Sequence, residues 1–187
     1  MEEQISKALE PGEKLLWKGR PEAFETLDKT HKSSILCASA IKLLIMLCVI
    51  GAYIVSTSRG GNFSLLILAV LCAITVFMLA MPFLTARHLR RQIFYVLSDR
   101  RIIRLGFAEG SVPYSRIKTA ALKSDSDGHV SLLCGPRALK LKASRRRQNA
   151  DCAFENYSDE NQCVCAVLYA LPMDSRLERI LHEHLPL

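Results

Sequence analysis

Three consecutive guanidiniums at Arg145, Arg146 and Arg147 are the densest anion-binding chemistry in the chain. Each planar fork can grip two phosphate or carboxylate oxygens at once. Lys140 and Lys142 precede them, and Arg87, Arg90 and Arg91 make a second basic cluster. These eight residues are the candidate contacts for anionic lipid headgroups, with a solvated loop as the alternative for the triple arginine. Other reactive types do not assemble. Cys163 and Cys165, like His182 and His184, are two apart, which on a helix turns them to different faces. No CxxC pair suggests zinc. No Gly-rich phosphate loop, HExxH, GxSxG or supportable Ser, His and acid trio occurs. The expectation is a non-enzymatic protein with no cofactor and no metal. The seven cysteines read as small buried hydrophobes.

The elements that must position the basic clusters begin with two apolar runs, Ile35 to Val55 and Phe63 to Leu84, joined by the short loop Ser56 to Asn62. A helix needs about 20 mainly apolar residues to cross a hydrocarbon core of about 30 Å, and both runs reach that length. They predict a transmembrane hairpin over residues 33–86. Lys29 and Lys32 precede the first run and Arg87, Arg90 and Arg91 follow the second, whereas the loop holds only Arg59. Basic flanks stay on the cytoplasmic side, so both termini are expected there. The acidic start, with Glu2, Glu3, Glu10 and Glu13, is unlike a cleavable signal peptide. Lys42 is the one charge inside a span, about two turns from its start, where its stem can snorkel to the headgroups or meet a partner.

Charge is uneven beyond the hairpin. From Thr85 to Ala150 there are 15 basic residues against four acids, a net of +11, while residues 151–187 carry two against seven, a net of −5. Anionic lipids attract such a juxtamembrane segment by about 1 kcal/mol per basic residue near the surface. Nucleic acid is set aside as a partner, because no recognition motif accompanies the charge.

After the second span the period changes. Strands are predicted at Gln92 to Ser98, Arg101 to Leu105, Glu109 to Pro113, Arg116 to Leu122, His129 to Cys134 and Ala138 to Ala143, divided by turn signals at Asp99-Arg100, Gly106, the run Ser124-Asp125-Ser126-Asp127-Gly128, where Asp caps its own turn, and Gly135-Pro136. A helix is expected from a Ser158 N-cap through Val164, Val167, Leu168 and Leu171, stopped by Pro172, and a second from Asp174 to His184 with Leu177, Ile180 and Leu181 inward. The fold class is thus α+β: a two-helix hairpin, then a small antiparallel barrel or sandwich over 87–187 with a C-terminal capping helix. Residues 1–32 form a cytoplasmic N-terminal segment. Its Leu15, Leu16 and Trp17 would be exposed unless a strand at 14–18 folds onto that barrel.

Several of these stretches resemble a known family. Tyr95-Val96-Leu97-Ser98-Asp99-Arg100-Arg101-Ile102-Ile103 looks like the "Y-x-L-T-x-x-R-hydrophobic" signature of bacterial pleckstrin-homology-like domains, with Ser98 where Thr is more usual. Val112-Pro113-Tyr114-Ser115-Arg116-Ile117 is similar to their "hydrophobic-Pro-Tyr-x-x-Ile" stretch, and the segment Pro11 to Pro21 around Trp17 to the motif that precedes their membrane helices. The resemblance implies a pleckstrin-homology-like barrel, structural roles for Trp17, Tyr95, Leu97, Ser98, Arg101, Pro113 and Ile117, and the bacterial inner membrane as location. Such folds bind protein or lipid headgroups without performing chemistry. The leading expectation is an adaptor docking a membrane protein or anionic lipid, with a second copy of the chain admissible as a partner. The alternative is an accessory subunit of a transporter or membrane enzyme, using the hairpin and Lys42.

Overall fold

A computed structural model describes residues 2–60, 63–106, 109–150, 155–156 and 164–187. A short helix α1 (Glu2–Ala8) and strand β1 (Leu15–Gly19) precede two long helices, α2 (Lys32–Ser58) and α3 (Leu65–Gln92). Mean hydropathy over their most apolar windows reaches 2.5 and 2.7, and both are long and apolar enough to cross a membrane. None of α2 is buried, and α3 buries only Ala86 and Leu89. Leu44, Leu65, Leu66, Val76 and Phe77 all stand exposed, the reverse of a soluble core helix, whose apolar stripe faces inward. The two run antiparallel. At their far end the Tyr53 hydroxyl donates to the Ser64 carbonyl (3.0 Å) and accepts from the Ser64 amide (2.9 Å). The helix of α3 outruns its apolar stretch by about two turns, carrying Arg87, Arg90 and Arg91 as far as the first strand of the domain.

The domain holds two four-stranded antiparallel sheets. Sheet A has the order β1-β2-β3-β4, with β2 (Phe94–Ser98), β3 (Arg101–Leu105) and β4 (Gly110–Pro113); sheet B has β5-β6-β8-β7, with β5 (Ala120–Ser124), β6 (Val130–Cys134), β7 (Glu155–Asn156) and β8 (Val164–Leu171). Trp17 pairs with Leu97 across β1 and β2 and is buried at 8% exposure, so the chain ahead of the long helices is a strand of the same sheet as the chain behind them. The Trp17 indole lies over Gly19, where any side chain would collide with it. One core takes in Tyr95, Leu97 and Ile102 of sheet A and Leu132, Leu133, Leu168 and Leu171 of sheet B. The last helix, α6 (Ser175–His184), is capped by Asp174, which accepts from the Leu177 amide at 2.6 Å. It buries Leu177, Ile180 and Leu181 as its spacing predicts, and reaches from the Leu16 carbonyl, through Arg176, to Tyr114, on which His184 stacks.

Four expectations are corrected. The strands close no barrel among the described residues: a 3₁₀ turn at Tyr114–Arg116 and the stretch to Thr119 separate β4 from β5, which begins only at Ala120. Val164 to Leu171 is the strand β8, not a helix plugging the domain; Ser158 lies outside the described residues. Ala138 to Ala143 is no strand either. Pro136 opens a one-turn helix α4 (Pro136–Leu139), and α5 (Ala143–Ala150) follows. Arg145 to Arg147 therefore lie on a helix, not in a loop.

Two backbone sites tie the parts together. Gly106, at φ +110°, packs so closely on the Gln92 carbonyl at the end of α3 that a Cβ would overlap it. Ala170 is buried at φ +53°, a left-handed conformation inside β8, beside the shift in register between β6 and β8. That bulge turns the Ala170 carbonyl to the Glu22 amide, 2.7 Å away. Ala170→Gly is expected to raise stability by about 1 kcal/mol, since glycine adopts this φ without steric cost; a lower melting temperature in thermal unfolding would contradict it.

Candidate functional site

One cluster of polar side chains converges where the chain enters α2. Asp28 is 7% exposed. One carboxylate oxygen accepts from the His31 amide and pairs with His31 Nδ1, both at 2.7 Å; the other takes Arg147 Nη1 at 3.2 Å. Arg147, from α5, also donates to the Glu25 carbonyl (2.9 Å) and the Thr26 carbonyl (2.7 Å). Asp127, from the β5–β6 loop, accepts from the amides of Lys29 (3.2 Å) and Thr30 (2.9 Å). Those bonds, the Thr30 hydroxyl first among them, hold its carboxyl below the usual range. Asp125 accepts from the amides of Asp127 (3.1 Å) and His129 (2.9 Å), the self-capped turn the sequence signals, and from the Tyr169 hydroxyl at 3.1 Å. On the α3 side, Arg90 Nη1 donates to the Phe24 carbonyl at 3.0 Å. Burial first, and the nearby Arg147 second, push the His31 imidazole below its ordinary value, so it sits neutral. Its Nε2 is buried and bonds to nothing among the described residues.

A second cluster closes the other end of sheet A. The Glu13 carboxylate accepts from Ser98 Oγ (2.5 Å), Arg101 Nε and Nη2 (both 3.0 Å) and the Glu10 amide (2.7 Å). Burial alone would raise its pKa, but the bonds from Arg101, Ser98 and the Glu10 amide outweigh that and bring it to about 2. Arg101 also reaches Glu10 (3.0 Å) and the Ala8 carbonyl (3.1 Å). Ser98 Oγ accepts from the Arg101 amide at 3.0 Å, and Tyr114 donates to the Ser98 carbonyl at 3.0 Å. Ser98, Arg101 and Glu13, from two motifs far apart in sequence, thus form one ionic clamp. Tyr95, Leu97 and Ile117 are buried, and half-buried Pro113 ends β4.

The sequence-predicted basic residues divide. Arg146 and Arg147 are 7% and 5% exposed, and Arg146 is bonded to the carbonyls of Lys123 (3.2 Å) and Ser124 (3.1 Å). With Arg147 bonded to Glu25, Thr26 and Asp28, both guanidiniums are turned inward as structural donors. Arg87, Arg91, Lys140, Lys142 and Arg145 are exposed, as is Arg90 apart from its bond to Phe24. Arg147 fixes α5 to the α2 entry, and Arg145, two residues earlier on the same helix, is turned to a different face and exposed. Sequence reading missed Asp28, His31, Asp127 and the fully buried Arg104, which donates to the Ala150 carbonyl at the end of α5 and suits the negative end of that helix.

Lys42 is half-buried. Half-exposed positions on α2 recur at Ile35, Ser39, Lys42, Met46, Ile50 and Tyr53, the spacing of a helix-packing seam. Eleven residues back along α2 from Tyr53 is Lys42, and eleven forward along α3 from Ser64 is Thr75, so they lie at one level of the antiparallel pair. The described Cys37, Cys48, Cys72, Cys134 and Cys165 form no disulfide, and burial pushes the Cys134 thiol up to about 12. No described group of three His, Cys, Asp or Glu residues could hold a metal. His182 is exposed, and the His184 ring stacks on Tyr114 at 5.0 Å.

Comparison with protein-family models, curated proteins and solved structures gives no match in any of the three.

Proposed function

We propose that the chain is a membrane-anchored, non-enzymatic adaptor. Its domain, of the pleckstrin-homology-like kind its motifs resemble, stands at the cytoplasmic face of a bacterial inner membrane and docks a membrane protein over anionic lipid. The observation that carries the reading is the shared foot of α2 and α3. Arg147 and Asp127 hold the entry of one helix and Arg90 links the other to the same segment, while the apolar sides of both helices remain uncovered. A folded body rooted at one end of an apolar hairpin supports a reading with both termini on one side, and the flanking Lys29, Lys32, Arg87 and Arg91 favour the cytoplasm as that side. The exposed Arg87 and Arg91, on α3 at the foot, and the exposed Arg145 on α5 are the lipid contacts. Screening over about 8 Å at physiological salt limits the attraction to groups close to the headgroups. Arg146 and Arg147 have no part in it.

Photo-crosslinking residues placed singly at exposed positions of the full chain, in native membranes, test this reading. A discrete adduct with one membrane protein from neighbouring positions, and lipid adducts from Arg145, are expected. The absence of a protein adduct at every exposed position would contradict an adaptor.

A further inference from the structure

Sheet A has a second apolar face, turned away from the main core. Val96, Ile103 and Leu105 on that face are 0%, 4% and 7% exposed, and with half-buried Phe94 they form a cluster separate from that core. What buries them is α1, through Ile5, at 5% exposure, with Ala8 and Leu9 beside it. We propose that this face is a docking site for an amphipathic helix of a partner protein, and that α1 is a resident strap occupying it.

The cover is slight. At seven residues α1 is well below the length of about 12–15 at which isolated helices become even marginal in water. Its one fully inserted side chain among the described residues is Ile5. Its C-terminal end is tethered, because Arg101 holds the Ala8 carbonyl and Glu10, and Pro11 and Gly12, the latter at φ +81°, follow as a hinge before β1. The cover is also incomplete. An open groove of about 230 Å³, lined by Ile5, Ser6, Leu9, Leu15 and Lys18, runs beside α1. A longer helix would fill it.

The resident helix supplies the chemistry of the visitor: apolar residues at the spacing of Ile5, Ala8 and Leu9, with acids in the first turn as in Glu2 and Glu3 and a base in the last turn as in Lys7. Lys18 on the groove and Arg20, stacked on the Phe94 ring at 4.2 Å, give the rim its complementary charge. A protein helix is favoured over lipid, because eight residues of α3 beyond its apolar run, about 12 Å of helix, stand between that run and the start of sheet A.

The inference rests on the adaptor reading for the existence of a partner, but its test does not. A fluorescein-labelled, lactam-stapled peptide of residues 1–10 is titrated into the full chain in detergent, native or Ile5→Glu, and anisotropy is read. A tethered strap acts at an effective concentration on the order of millimolar, so it should weaken a peptide of about 0.1 mM affinity roughly tenfold. The expected result is binding to Ile5→Glu about tenfold tighter than to the native chain, lost again in Ile5→Glu/Ile103→Thr, with the melting transition retained. Equal affinity for both, binding to neither, or loss of the folded domain in Ile5→Glu would overturn the proposal, the last by making α1 an integral element. Tighter binding of the peptide to protein-free anionic nanodiscs than to Ile5→Glu would overturn it too, by assigning that face to lipid. The adaptor reading fails separately, through the crosslinking experiment.

Discussion

Arg101→Met is expected to lower stability by about 3–5 kcal/mol, the cost of leaving one partner of a buried ion pair uncompensated. In a protein of this size that is a fall of about 10 °C in the melting temperature. The Glu13 side chain is wholly buried, and Arg101 supplies two of its hydrogen bonds. The pH dependence gives the sign. In the native protein Glu13 has its pKa lowered to about 2 from 4.5, so its stabilising contribution is complete above about pH 4.5 and is lost as pH falls through about 2. Without Arg101, burial is opposed only by the bonds from Ser98 and the Glu10 amide, so the pKa rises and the variant loses less stability than the native protein as the carboxyl protonates on acidification. The deficit of the variant should therefore narrow from pH 7 to pH 4 in thermal unfolding. A deficit that stays constant with pH would show that Arg101 acts by packing alone. Adding Glu13→Gln should recover part of the loss, because no uncompensated charge remains.

Arg147→Met is expected to cost about 3 kcal/mol at pH 8, because it strands the Asp28 carboxylate and leaves the Glu25 and Thr26 carbonyls without their donor. Here too acid should narrow the loss. In the native protein the depressed His31 pKa means that the unfolded chain takes up a proton first, so this group costs stability as pH falls below about 6.5. Removing Arg147 takes away a neighbouring positive charge and leaves Asp28 to His31, which raises the His31 pKa from its depressed native value, so the variant loses less stability than the native chain as His31 protonates. The ring signals of His31, followed by NMR across pH 5–8, should titrate at higher pH in the variant than in the native chain. A midpoint that does not move would sever Arg147 from the His31 and Asp28 pair.

The apolar helices, the turns at Gly106, Gly128 and Asp125, and α6 were legible because each is written in neighbouring residues: run length, a φ only glycine enters freely, a side chain capping its own turn. β8 was not. Residues 166–171 are buried on both faces, so the alternation that marks a half-wet strand is missing, and Val164, Val167, Leu168 and Leu171 happen to fall at helical spacing. Lys140 and Lys142 flanking Leu141 imitated a strand, while the local signal that decides, Pro136 at the first position of a helix after Gly135, was read as a turn. Arg146 and Arg147 looked like a solvated run because their acceptors are carbonyls up to 122 residues away in sequence, which no local pattern displays. Glu13 lay inside the quoted motif without a role; its role appears only when Ser98 and Arg101 fold beside it.

The central claim is that the domain and the N-terminal strand sit together on one side of a membrane, rooted on a hairpin whose loop emerges on the other. Site-specific labelling with a membrane-impermeant maleimide in sealed right-side-out vesicles tests it most directly, using full chains with native cysteines replaced and a single cysteine at Arg59, Lys18 or Arg179. The account predicts labelling at Arg59→Cys alone before lysis and at all three after it. Labelling of Lys18→Cys or Arg179→Cys in intact vesicles, or release of the protein from the membrane by alkaline carbonate, would contradict it.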